Sequence, residues 1–283
     1  MIPQVMAAAP WDLWRSQMAA ILRLELRKTF FAKRAWWIYL LALGPVLITG
    51  AHSLIMLQHD RSAHPLAEDI MIFAGIFQLF YLRLGIFFGC VGIFSGLFRG
   101  EVLEKTLHYY FLAPVRREVL AAGKYVAGLA AATAFFAGSA VLSLLLITLH
   151  FGAEQQVFLF RQGGWKHVVW YAVISALACA GYGAVFLLMG LWFRNPMLPA
   201  AVVMVWEGLN PFLPALLKKF SVIFYLKSLC PVSVPAQDAL AIFMVEAAPA
   251  PAWIAIPGLL GVVALVLAYA GYRVKRLEVS YTE

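Results

Sequence analysis

The chain predicts an all-α membrane protein of six transmembrane helices. Three observations carry this. Of its 283 residues, 63% are hydrophobic and 13% charged, against roughly 45–50% and about 25% in a soluble domain. Apolar runs of bilayer length recur along the chain, each close to the ~20 residues a helix needs to cross ~30 Å of hydrocarbon. The basic residues behind the net charge of +8 gather in alternate connections, the pattern that orients membrane proteins. A barrel would show short alternating segments instead, and the charge is read through topology rather than as a nucleic-acid surface.

From the N-terminus, residues 1–35 form a basic leader. It lacks the basic start followed by an apolar stretch that marks a signal peptide, so the first apolar run is expected to stay in the membrane. Within the leader, Trp11–Arg34 reads as an amphipathic helix. Trp11, Trp14, Met18, Ile21 and Leu22 share one face, and Asp12, Ser16, Arg23 and Arg27 lie opposite, as in helices that rest in the membrane interface. Arg15 and Glu25 break the pattern.

The six-span domain, 36–273, follows. Its spans are expected at Trp36–Leu57, Ile70–Leu97, Val119–Leu149, His167–Phe193, Leu198–Leu217 and Trp253–Tyr272. Gly85, Gly89, Gly92 and Gly96 recur on one face of the second span, a spacing that admits a close neighbour. Arg83 and Glu207 each fall near the middle of a span. A lone charge there costs about 2.5–3.5 kcal/mol, so the two are expected to pair or to share a water-filled cavity, as a polar element of a transmembrane route or as a structural ion pair, unless Arg83 reaches toward the outer surface instead. Between the fifth and sixth spans, 218–251 is too apolar for a solvated loop and its runs are too short to cross, which predicts re-entrant or interfacial helices. A tail, 274–283, closes the chain. With six crossings the basic connections share one side, which makes both termini cytoplasmic.

Catalytic chemistry is not written in the motifs. No phosphate-binding Gly-x-x-x-x-Gly-Lys-Ser/Thr, His-Glu-x-x-His or Gly-x-Ser-x-Gly occurs. The three cysteines, Cys90, Cys179 and Cys230, show no Cys-x-x-Cys spacing. His52, His59, Asp60 and His64 cluster near the first outer loop, but their mixed spacing reads as a solvated loop, and no metal site or catalytic residue is assigned.

Between the second and third spans lies a charged stretch, about 99–118. Val102, Leu103, Thr106, Leu107 and Tyr110 form an apolar helical face, with Glu101, Glu104, Lys105 and His108 around it. Pro114 stops the helix, and Arg116 and Arg117 follow. The sequence "EVLEKTLHYYFLAPVRREVLAAGKYVAG" resembles the cytoplasmic loop of ABC-2 type transporter permeases: an acidic residue, Thr-Leu, Leu-x-x-Pro with a basic pair, then Gly-Lys opening the next span. Glu101, Thr106, Leu107, Pro114, Arg116, Arg117, Gly123 and Lys124 match. His108 stands where an acid often follows, and Lys105 where Gly is common.

The resemblance implies a coupling helix that docks on a separate ATP-binding cassette subunit. Glu101, Glu104, Lys105, Thr106, Leu107, Tyr110, Pro114, Arg116 and Arg117 would be the contact residues. It further implies two such subunits carrying ATP and Mg, a second permease subunit, identical or paralogous, and a bacterial inner-membrane location. The chain itself would carry no cofactor and, apart from the lipid bilayer, these subunits would be its partners. The function implied is that of an exporter's transmembrane subunit, not an enzyme. A membrane-embedded enzyme acting on lipid and a non-transporting scaffold are the alternatives.

Overall fold

The structure, a computed structural model, describes residues 10–31, 35–58, 65–106, 112, 115–234 and 248–276. These residues are helical, with no strand among them. In chain order the helices are α1 (Pro10–Phe31), α2 (Trp36–Met56), α3 (Leu66–Ile76), a π-helical segment (Phe77–Gly85), α4 (Ile86–Leu103), α5 (Arg117–Ile147), α6 (Ala153–Arg161), α7 (Gly164–Trp192), α8 (Met197–Leu209), α9 (Ala215–Lys218), α10 (Val222–Ser228) and α11 (Ala252–Lys275).

Five helical stretches among the described residues are long and apolar enough to cross a membrane: Trp36–Met56, Leu66–Leu103, Arg117–Phe151, Gly164–Trp192 and Ala252–Lys275. The second joins α3, the π segment and α4 without a break, extending the expected span at both ends. The chain is therefore a candidate multi-pass membrane protein of helical type.

The run Leu198–Leu217, expected as a span, departs from this. Its helix α8 has 13 residues, about 20 Å at 1.5 Å per residue and short of a ~30 Å core. Pro211 and Pro214 are the physical cause. Both lack a backbone donor, and Leu213, before Pro214, is extended rather than helical. The chain turns through a short 3-10 stretch, Asn210–Phe212, and a four-residue α9 instead.

Helix α7 is the centre of the bundle. Helices α4, α5 and α11 pack on it, while α1 and α2 pack on α5. Aromatic rings fill the core: Tyr171 meets Phe73 and Phe77 edge-on at 5.0 and 4.6 Å, and Phe87 meets Phe186 at 5.0 Å. The backbones of α4 and α7 approach closely at Gly190, where a methyl group would stand 2.7 Å from the Ser95 carbonyl oxygen.

Contacts also show which ends lie together. Arg273 of α11 stacks over Trp192, the last residue of α7, at 5.9 Å. Lys275 Nζ pairs with Glu118 of α5 at 2.6 Å. The ends of α7 and α11, the start of α5, the end of α4 and helix α1 thus share one basic end of the bundle. His52, Asp69 and His150 meet at the other.

Candidate functional site

At the basic end one lysine ties three helices together. Lys124, on the second turn of α5, is fully buried. Its ammonium donates to Glu25 Oε1 of α1 at 2.6 Å and to Glu101 Oε1 of α4 at 2.8 Å. Lys28, three positions beyond Glu25 on α1, donates to the same Glu101 oxygen at 3.0 Å. Two ammonium groups and two carboxylates balance. The Phe98 ring lies 5.6 Å from the Lys124 ammonium, which adds a cation–π contact. The break that Glu25 makes in the amphipathic pattern of α1 now has a reason. Met18, Ile21, Glu25 and Lys28 form one stripe, in which Met18 and Ile21 pack against Gly123 of α5 and the charged pair reaches Lys124 and Glu101.

Glu101 was expected on the charged rim of a separate amphipathic helix, open to a soluble partner. It is buried, and its Oε1 accepts from both lysines. The helix expected over Glu101–Tyr110 does not start there. Glu101, Val102 and Leu103 are the last turn of α4, and the helix ends in a two-bond C-terminal cap. Thr106 N–H donates to Glu101 O at 2.9 Å and Lys105 N–H to Val102 O at 3.2 Å. This cap needs a left-handed residue at the position of Lys105, and Lys105 has φ 56°. Gly would take that conformation without strain, which gives a physical sense to the glycine common there in the resembled family. Leu107, Tyr110 and Pro114 lie outside the described residues.

The far side of the loop is also fastened. Arg116 stacks over Trp14 of α1 at 4.9 Å. Arg117 donates to the Lys275 carbonyl of α11 at 2.9 Å. Glu104 and Lys105 are left on the exposed surface of the loop, with Thr106 half-buried. Of the expected contact residues, Glu101 and Arg117 are thus committed to holding α1, α4, α5 and α11 together.

The expected meeting of Arg83 and Glu207 takes another form. No ion pair joins them among the described residues. Glu207, buried on α8, accepts from the Ser221 hydroxyl at 2.6 Å and from the backbone N–H groups of Val222 and Ile223 at 3.0 Å each. It caps the start of α10, where helix donors and the dipole favour an anion. Its charge is met by a helix terminus rather than by an arginine. Arg83 lies on the π segment, half-buried, its Nε buried and without a partner among the described residues. Tyr182 of α7 lies within electrostatic reach of both groups.

The glycine face of α4 is partly used as expected. A methyl group at Gly89 would collide with Phe136 of α5, and one at Gly92 with Trp37 of α2. Gly85 sits near Phe80 and Phe136, while Gly96 faces open space. Their neighbours are aromatic rings, not a helix backbone. At the opposite end, Asp69 is buried between His52 Nε2 at 3.3 Å and His150 Nε2 at 3.7 Å. Among the described residues no group of three or more His, Cys, Asp or Glu is arranged to hold a metal ion. His59, Asp60 and His64 lie outside them.

The chain matches no known protein family model, and no curated protein resembles it.

Proposed function

We propose that the chain is the membrane-embedded permease subunit of an ATP-driven exporter. The observation that supports this reading best is the Glu101–Lys124 pair. The loop resembling an ABC-2 coupling loop is bounded by an acidic residue and by Gly-Lys, and these two charges close on each other at 2.8 Å. A force applied to the exposed loop surface around Glu104 and Lys105 would act directly on α4 and α5, because a buried ion pair joins their ends. Helix α1, held by the same lysine, would move with them.

In this reading the basic end is cytoplasmic and both termini lie there. The chain crosses six times, the fifth crossing being the broken run of α8, α9 and α10. What supports that crossing is that α7 ends and α11 begins at opposite ends of the bundle. Two ATP-binding subunits would carry ATP and Mg, and a second permease subunit would complete the assembly in a bacterial inner membrane.

The test is co-expression with the ATPase encoded nearest to this chain, followed by cross-linking from single cysteines at Lys105→Cys and Glu104→Cys. Cross-links to the ATPase, with ATP hydrolysis stimulated by the permease, are expected. Cross-links confined to this chain would sink the reading.

A further inference from the structure

Positive charge is matched unevenly through this molecule. Lys124 is met by Glu25 and Glu101, Asp69 by two histidines and Glu207 by the start of α10. Among the described residues, Arg83 and Lys227 are not met in this way. Arg83 forms no hydrogen bond or ion pair among the described residues, and its Nε is buried. Lys227, half-buried on α10, likewise has no anionic partner among them. The nearby carboxylate, Glu207, already accepts from three donors.

The two cations are neighbours. Helix α10 packs on the π segment, and Gln78 of that segment donates to the Val232 carbonyl just beyond α10 at 2.9 Å. Lys227 lies in the field of Arg83 and, more weakly, of Lys218. The chain thus places like charges together in a poorly hydrated setting, where each costs free energy unless an anion joins them. The backbone adds a second sign. Arg83 is carried on nine residues of π-helix, a geometry rare in length and frequent at functional sites because it re-aims side chains. The Tyr182 hydroxyl of α7 is turned to Glu207 and leaves Arg83 unmet.

We propose that Arg83 and Lys227 form a binding site for the phosphate group of an amphiphile. Guanidinium offers a planar fork that matches phosphate oxygens two at a time, and ammonium adds a point charge. An amphiphile fits because Leu79 and Leu84, on the same segment as Arg83, are exposed. An apolar tail can cover that surface while the phosphate turns inward. The inference concerns binding alone and stands or falls apart from the permease reading.

The test uses the full purified chain in a nonionic detergent, with bound lipid counted by native mass spectrometry. Three probes are compared: phosphatidic acid, the matching diacylglycerol without phosphate, and inorganic phosphate as competitor. One phosphatidic acid per chain is expected to survive detergent exchange, and diacylglycerol is not. Arg83→Gln and Lys227→Gln should each weaken retention about tenfold or more, as loss of a charge-assisted hydrogen bond does. Arg83→Lys and Lys227→Arg, which keep charge and guard against misfolding, should retain a measurable share. Arg161→Gln, an exposed cation elsewhere, should change nothing. Displacement by millimolar inorganic phosphate would show that the site takes free phosphate as well as a headgroup. Equal retention by the wild type and both neutral variants would overturn the proposal, because the lipid would then be held by other basic residues. So would no retention at all, which would leave Arg83 a side chain that only reaches for the membrane surface.

Discussion

Lys124 and Glu101 stand 23 positions apart in the chain and 2.8 Å apart in space, with the whole connecting loop between them. Their ion pair is buried, so each charge depends on the other. Removing one member of such a pair leaves the other stranded and costs roughly 3–5 kcal/mol. Lys124→Ala should therefore destabilise the folded chain by an amount in that range, read from unfolding in detergent. Lys28→Ala should cost about 1 kcal/mol or less, since Lys28 is 46% exposed and its pair is screened. Equal losses would show that Lys124 is not the centre of the network.

Lys105→Gly should stabilise the chain. The cap of α4 holds this lysine at positive φ, which costs a residue with a Cβ about 1–2 kcal/mol. Glycine also gains freedom in the unfolded state, so the net gain expected is about 1 kcal/mol. Lys105→Ala keeps the Cβ and should gain nothing. An alanine variant as stable as the glycine variant would mean that charge, not backbone conformation, sets the effect.

Glu207→Gln should loosen α10 in particular. The carboxylate accepts from two backbone amides and one hydroxyl. An amide side chain retains an acceptor but loses the charge that meets the helix start. A loss of about 1–2 kcal/mol is expected, within the range of a lost cap. Hydrogen exchange should quicken at the Val222 and Ile223 amides while α5 stays protected. Uniform quickening would mean that the whole fold had weakened.

Much of the fold could be read from the sequence because a long apolar run has few solutions in a bilayer. The long helices stand within a few residues of their expected places, and the extension of α4 to Leu103 follows from its C-terminal cap rather than hydropathy. The broken run near Glu207 was also visible, in Asn210–Pro211 and Pro214, but average hydropathy hides a helix break. The site was less legible. Glu101 was read as exposed because local periodicity cannot know that Lys124 waits across a loop. The clue lay in Glu25, a charge on the apolar face of α1, which required a buried partner. The capping of α10 by Glu207 and the closeness of Lys227 to Arg83 join segments far apart in the chain, and no spacing rule reports them.

The placing of one ammonium at the meeting of three helices also bears on how the chain is made. Glu25 leaves the ribosome 99 residues before Lys124. At about 5–20 residues per second, α1 waits on the order of 5–20 s for the group that neutralises it. It can seat only after the first two membrane helices have entered and the third has begun. Helix α1 therefore docks out of chain order, after helices made later than itself, and a chain stalled before Lys124 would carry α1 unseated.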